Sequence, residues 1–142
     1  MASDRLFKTL NALHRGLLKI SGGRAGWSAG KMPVVELTTT GRKSGEPRTV
    51  MVTSPWQDGD TIALVASAWG NDAHPAWLLN LRDDPSVTVR TTEGERPMTA
   101  RIVEGDERVR LWEQIIERFD RYAEYQSKTD RQLPVVLLEP AS

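Results

Sequence analysis

The chain has 142 residues, a length that argues for one domain whose core can close without disulfides or metals. Lys and Arg total 19 and Asp and Glu total 19, so the formal net charge is zero, which argues against a generally basic nucleic-acid binder. The absence of cysteine excludes a disulfide scaffold, a thiolate metal site and a Cys nucleophile. The two histidines, His14 and His74, are too far apart in the chain to predict a metal site. We expect a single domain over residues 1–142, with no metal and no nucleic-acid partner.

Residues 1–24 predict an amphipathic N-terminal helix followed by a loop. Ser3 is its expected N-cap, and apolar side chains recur behind it at helical spacing: Leu6, Phe7, Leu10, Leu13, Leu17 and Leu18. Such a helix either packs across the domain or contacts anionic lipid. No apolar run approaches the ~20 residues of a membrane-spanning helix, and no signal-peptide core is present. The expected location is therefore the cytoplasm, with peripheral contact at the inner face of the cell membrane as an alternative.

Short β-branched segments separated by turns predict about six mostly antiparallel strands, over residues 34–40, 49–53, 61–67, 87–91, 98–103 and 133–139. Two turns, Asp58-Gly59 and Glu93-Gly94, are typical of hairpins. A short helix is expected over residues 76–81. A longer one, capped by Asp106, should bury an apolar stripe made of Val109, Trp112, Ile115, Ile116 and Phe119. These elements do not alternate as βαβ units, so we expect a mainly β (α+β), partly closed barrel with flanking helices.

The segment from Thr38 to Arg48 concentrates three cations, two glycines and several hydroxyl groups between two predicted strands. Glycines let the backbone turn sharply and approach a ligand, and N–H groups in such a turn bind anions. Arg42 and Arg48 carry planar forks that match phosphate or carboxylate oxygens, and Lys43 adds a point charge. The segment predicts either a site for a phosphate-bearing cofactor or a solvated hairpin tip. It lacks the glycine spacing of a Walker loop.

Small residues at 66–68 leave room for a flat ring at the end of a strand. Trp77 and Asn80 share one face of the short helix, so an indole wall and an amide donor and acceptor would lie together. The alternative is that Trp77 belongs to the core. Tyr122 and Tyr125, the two tyrosines of the chain, either line a pocket mouth or pack a helix against the barrel. We interpret His74 as a structural residue rather than a general base.

The sequence contains no hydrolase elbow, zinc-protease motif or dinucleotide fingerprint. An enzyme with this sequence is therefore expected to orient a cofactor that supplies the chemistry.

In this order, the three segments resemble the deazaflavin (F420)-dependent nitroreductase family over about Leu6 to Pro140. The resemblance rests on residues 37–48, on 75–81 with Asp84-Pro85, and on 122–134. It implies a split β-barrel that binds coenzyme F420, an 8-hydroxy-5-deazaflavin. It also implies an F420H2-dependent reductase that passes a hydride to quinones, nitroaromatics or α,β-unsaturated lactones and esters.

The resemblance implies three groups of site residues. The first should hold the phosphate and oligoglutamate tail of the coenzyme or line the same groove: Leu37, Thr38, Arg42, Lys43, Ser44, Gly45, Pro47 and Arg48. The second should border the deazaflavin ring: Val50, Met51, Val52, Ala66, Ser67, Ala68, Trp77 and Asn80. The third should face the substrate: Ser67, Trp69, Phe119, Tyr122 and Tyr125. Ser67 and Tyr125 are the catalytic candidates.

Two alternative functions remain open from the sequence. One is a non-catalytic protein that binds or carries F420, and the other is a split barrel that binds FMN. The protein is expected to be a monomer or a homodimer, because the exposed edges of small barrels often pair.

Overall fold

The computed structural model describes residues 28–29 and 32–141. Their elements, in chain order, are β1 (Ser28–Ala29), β2 (Met32–Thr40), β3 (Pro47–Thr53), β4 (Trp56–Asp58), β5 (Thr61–Val65), a 3-10 turn (Ala68–Gly70), α1 (Ala76–Asp83), β6 (Ser86–Thr91), β7 (Gly94–Ile102), α2 (Gly105–Arg118), α3 (Arg121–Ser127) and β8 (Val135–Pro140). The six predicted strands correspond to β2, β3 and β5 to β8, and β1 and β4 are short additions. The predicted helix and loop over residues 1–24 lie outside the described residues.

The strands form one antiparallel sheet in the order β1-β2-β6-β7-β8-β5-β4, with β3 also paired to β2. The chain passes directly from β3, which pairs with β2 near one end of this order, to β4 at the other end. Ser54, at the junction, donates its backbone N–H to the Pro33 carbonyl (2.8 Å) and its hydroxyl to the Ala63 carbonyl (2.9 Å). Because Ser54 is buried, these bonds satisfy polar groups and join the two ends of the sheet. The predicted partly closed, split-barrel architecture is confirmed.

Two apolar clusters lie on the two faces of β5 and β8. The barrel interior takes alternate residues of these strands together with α1: Ile62, Leu64, Val136, Leu138, Trp77, Leu78 and Leu81. The outer cluster takes the intervening residues and packs them against α2 and α3: Ala63, Val65, Val135, Leu137, Leu111, Ile115 and Tyr122. Burial on both faces explains why β5 and β8 read as continuous apolar runs. The buried face of α1 thus packs on the interior cluster, and α3 packs on the outer cluster.

The start and the apolar face of α2 differ from the prediction. Gly105, with a φ of 61°, precedes Asp106, and Glu104 rather than Asp106 occupies the N-cap position, without a side-chain capping bond. Val109 is 53% exposed, while Leu111 and Ile115 are buried. The buried stripe is therefore centred on Leu111 and Ile115. Among the residues that the structure describes, no helix is both long and apolar enough to cross a bilayer.

Candidate active site

The loop between β2 and β3, residues 41–46, is folded back on itself by backbone hydrogen bonds. Gly41 donates to the Glu46 carbonyl, and Gly45 donates to the Gly41 carbonyl, both at 2.8 Å. A Cβ at Gly41 would lie 2.6 Å from the Ser44 hydroxyl, so a side chain there would displace this hydroxyl from its present contacts. The Ser44 Oγ in turn accepts from the Arg48 guanidinium at 3.3 Å. The cationic segment is thus a closed loop held by its own contacts.

This loop borders a cleft of about 630 Å³, which also reaches β3 and α1. The cleft is lined by Thr39, Gly41, Arg42, Lys43, Ser44, Pro47, Arg48, Thr49, Val50, Ala76, Trp77 and Asn80. None of these lining residues is acidic, and all three cations are exposed. Charges of one sign lining a cleft with low-dielectric walls focus their field into it. The cleft is therefore suited to a ligand that carries negative charge.

Asn80 connects the loop to α1 and to the barrel. Its Nδ2 donates to the Thr39 hydroxyl at 3.1 Å, and its Oδ1 accepts from the Arg42 backbone N–H at 3.1 Å. Asn80 is 5% exposed and Thr39 is 2% exposed, so the first bond is shielded from water. The amide therefore fixes the backbone at Arg42, just after the chain leaves β2.

Trp77 belongs to the interior core and also lines the cleft. It is 4% exposed and packs within the barrel cluster, yet one part of it faces the cleft beside Val50. Trp77 therefore belongs to the core, as one interpretation held, and its place at the ring of a cofactor stays a prediction. The cleft has a cationic rim and an apolar wall. A ligand with an anionic tail joined to a flat aromatic ring would place its tail at the rim and its ring against the wall. The residues present fit coenzyme F420 in this respect.

A second cluster of sequence-predicted residues lies at the 3-10 turn after β5. Ala68 and Trp69 have φ values of 45° and 57°, in the left-handed region that non-glycine residues rarely adopt. Trp69 is 38% exposed, whereas Ser67 is buried. Strained backbone of this kind is concentrated at functional sites, where the surrounding structure holds it in place.

The turn packs directly against α3. A Cβ at Gly70 would lie 2.7 Å from the Tyr125 carbonyl and 3.0 Å from the Lys128 Cβ, so a side chain there would separate the two elements. Gly70, at a φ of 83°, also needs the conformational freedom of glycine. The Lys128 ammonium lies 5.8 Å from the centre of the Tyr125 ring. The structure therefore brings Trp69 and Tyr125, both predicted to face the substrate, onto packed elements.

Tyr122 and Tyr125 pack edge to face, with ring centres 5.8 Å apart, but they differ in their surroundings. Tyr122 is 2% exposed, and its hydroxyl contacts the Thr53 hydroxyl (2.9 Å) and the Met32 sulfur (3.2 Å). Burial raises the pKa of the Tyr122 phenol above its ordinary value, against a smaller opposing effect of the Thr53 bond. Tyr125 is half-buried. These surroundings suit Tyr122 to packing α3 against the barrel and leave Tyr125 the better placed of the two to reach a substrate.

Arg131 and His74 form a polar group behind the same turn. An Arg131 Nη1 contacts the His74 Nδ1 at 3.0 Å, and since arginine can only donate, His74 accepts through Nδ1 in its neutral form. Burial lowers the pKa of His74, and the nearby positive charges of Arg131 and Arg82 lower it further. His74 is thus a structural acceptor, in agreement with our interpretation of the sequence.

The structure does not place every predicted site residue at the cleft. Arg42, Lys43, Ser44, Pro47, Arg48, Val50, Trp77 and Asn80 line it. Leu37, Met51 and Ala66 are buried in the barrel, the Thr38 hydroxyl bonds that of Thr49 (2.9 Å), and Val52 and Phe119 pack against the two clusters. Gly45 and Ala68 shape the loop and the turn without lining the cleft.

Four lining residues were not predicted: Thr39, Gly41, Thr49 and Ala76. Strand alternation puts Thr39 on the same inward face of β2 as the buried Leu37, so it gave no signal that Thr39 lines the cleft. Ala76 and Thr49 gave no local signal, since the helix and strand bring them in only after folding.

Comparison with known proteins places this geometry in context. Residues 12–140 match the family model described as F420H(2)-dependent quinone reductase. The chain is 36% identical over 130 residues to the F420H(2)-dependent quinone reductase Rv1261c of Mycobacterium tuberculosis, covering 89% of this chain and 87% of the relative. A solved F420-H2 dependent reductase, FDR-A, shares 42% identity at a TM-score of 0.67, over 75% of this chain and 94% of its own. A solved domain-swapped dimer shares 35% identity at a TM-score of 0.70, over 92% and 99%.

Proposed function

The chain belongs to the F420H2-dependent quinone reductase family and is an F420-dependent oxidoreductase, and from this premise we propose that it binds the coenzyme in the cleft under the β2–β3 loop and reduces quinones. The observation that carries the proposal is the cleft itself. Three exposed cations line it, no acidic residue does, and the buried Asn80 amide holds the loop in place.

Each part of the cleft has a separate task in this proposal. Arg42, Lys43 and Arg48 hold the phosphate and oligoglutamate tail through charge-assisted hydrogen bonds. Trp77 and Val50 form the apolar wall beside the ring. Bound F420H2 supplies a hydride, and the protein contributes distance and orientation. The described side chains include no group of three metal-ligating residues, and the proposed role of the protein needs none.

The turn at Ala68–Gly70 and the C-terminal half of α3 form the proposed substrate side. Trp69 offers an exposed aromatic face to a flat quinone ring. Tyr125 donates a hydrogen bond from its hydroxyl to the substrate oxygen that gains charge, and Ser67 lies at the base of the same turn. We extend the proposed substrates to nitroaromatics and α,β-unsaturated lactones or esters, because all of these present a flat electrophilic system.

A turnover assay tests the proposal. Purified protein is mixed with F420H2 and menadione, and the reappearance of oxidised coenzyme is followed by absorbance, then repeated with nitroaromatics and enones. We expect coenzyme oxidation that depends on both enzyme and menadione. Coenzyme binding without turnover of any acceptor would instead support the non-catalytic carrier. The FMN alternative finds no support in the family match, and mass spectrometry of released ligand provides a direct check.

We also propose a homodimer, prompted by the similar chain that forms a domain-swapped dimer. Light scattering of the purified protein tests this, and a monomer at all concentrations would contradict it.

The proposed place of action is the cytoplasm, with residues 1–24 in contact with anionic lipid. The sequence of these residues contains five cationic side chains and one carboxylate, Asp4. Flotation with anionic liposomes, with and without residues 1–24, tests the contact, and equal flotation of both would contradict it.

A further inference from the structure

The guanidinium of Arg131 spans the turn that carries Ser67 and Trp69. It donates to the Ala66 carbonyl (3.2 Å), the Ser67 carbonyl (3.0 Å) and the Asn71 carbonyl (2.7 Å). Its contact with His74 extends the same network to the residue that precedes Pro75 and α1. One planar group therefore joins the two ends of the turn and the entry to the helix that carries Trp77 and Asn80.

The segment that Arg131 holds needs an external support. Within the turn, Gly70 donates to the Ser67 carbonyl (2.8 Å) and Asn71 donates to the Ala68 carbonyl (3.1 Å). These two bonds enclose the left-handed residues Ala68 and Trp69, a backbone geometry that persists only where surrounding contacts over-determine it. Arg131 bonds carbonyls on both sides of these residues, so it opposes their relaxation.

Arg131 is itself held in place from α3. Its backbone carbonyl accepts from the Gln126 side chain at 2.7 Å, and its N–H donates to the Thr129 hydroxyl at 3.3 Å. The Gln126 Oε1 also accepts from the Leu133 N–H at 2.9 Å. The helix that carries Tyr125 thus anchors the arginine that shapes the turn carrying Trp69.

We propose that Arg131 is a positioning residue, which holds the Ser67–Asn71 turn in the geometry with which Ser67 and Trp69 meet the substrate. This inference rests on the proposed function for its substrate side. The fork geometry is essential, because a lysine at this position would keep the charge but could not bond the separated carbonyls together. The cationic loop and Asn80 have their own supports, so coenzyme affinity should not depend on Arg131.

The test compares Arg131→Lys with Arg108→Lys. Arg108 is also partly buried, and its guanidinium donates to a single carbonyl, that of Leu133 (2.8 Å). In Arg131→Lys we expect amide hydrogen exchange at Gly70 and Asn71 to speed up about tenfold, as for loss of one charge-assisted bond. The KM for menadione should rise by a similar factor, while the coenzyme Kd stays within about twofold.

Several results would overturn the proposal. These are unchanged exchange at Gly70 and Asn71, a KM and a Kd that rise together in Arg131→Lys, or changes of the same size in Arg108→Lys. If Arg131→Lys fails to fold, His74→Gln provides the second test, because it removes one contact of the network and should give smaller changes of the same pattern. Hydrogen exchange needs no coenzyme. A wild-type protein that does not turn over menadione would therefore contradict the proposed function, while the exchange data would still decide the role of Arg131 in the turn.

Discussion

The two hydrogen bonds of the Asn80 side chain give the sharpest test of how the fold holds the cationic loop in place. Asn80→Ala removes the hydrogen bond from the Asn80 amide to the Thr39 hydroxyl, and both of these residues are buried. The Thr39 hydroxyl then lacks this donor, which should lower the free energy of unfolding by about 1–3 kcal/mol. It also removes the acceptor of the Arg42 N–H, which water replaces in the exposed loop at a cost of about 0.5–1 kcal/mol. With the lost side-chain packing, we expect the free energy of unfolding to fall by about 2–4 kcal/mol.

Coenzyme binding should respond to only one of these two bonds. Without the Arg42 contact, the loop must be ordered when the coenzyme binds, so its Kd should rise about five- to tenfold. Thr39→Val is the matched control, since it breaks the same buried bond to Asn80 but leaves the Asn80–Arg42 bond intact. Urea unfolding and fluorescence titration with F420 measure the two quantities. Equal changes in Kd for the two variants, or none in either, would refute the reasoning.

Three further predictions concern the substrate side. Tyr125→Phe should lower kcat for menadione more than it raises the coenzyme Kd. Tyr122→Phe should mainly lower the free energy of unfolding, by about 1 kcal/mol, because the Tyr122 hydroxyl is hydrogen-bonded inside the fold. Similar kinetics in both variants would count against a substrate role for Tyr125. Because the folded state lowers the pKa of His74 below its usual 6.5, the unfolded chain binds the proton more readily, and stability should fall as the pH drops through about 6.5. His74→Gln should flatten that part of the pH profile measured by thermal unfolding, and an unaltered profile would contradict the assignment. Gly70→Ala should lower the free energy of unfolding clearly more than Gly59→Ala does. Both glycines have a positive φ, but a Cβ would meet the Tyr125 carbonyl at 2.7 Å only at Gly70. Equal losses of about 1 kcal/mol would show that the turn and α3 are not tightly packed.

The strands and turns were largely predictable because their signals are local. β-branched runs predicted β2, β3 and β6, and Asp58-Gly59 predicted the turn into β5, although the short strand β4 before this turn was not predicted. The start of α2 was misjudged because Asp106 is a good cap in isolation. The backbone instead enters the helix through Gly105 in a left-handed conformation, which places Asp106 in the first turn.

The cleft was predictable in part, and for a physical reason. The cations and glycines of residues 41–48 are adjacent in sequence, so their joint presence in one loop needed no knowledge of the fold. The role of Arg131 could not be foreseen, because its partners lie about sixty residues away and are mostly backbone carbonyls, which leave no mark in the sequence. Leu37 was expected beside the tail, yet alternation along β2 places its side chain inside the barrel.

The central claim is that the cationic loop binds the acidic tail of the coenzyme. The most direct measurement is a fluorescence titration with F420 and with the deazaflavin chromophore lacking its phosphate and glutamates, on the wild type and on the double variant Arg42→Gln/Lys43→Gln. The wild type should bind F420 more tightly than the chromophore, and the double variant should lose about 1–3 kcal/mol of affinity for F420 alone. Equal affinity of the wild type for both molecules, or an equal loss for both in the variant, would contradict the account.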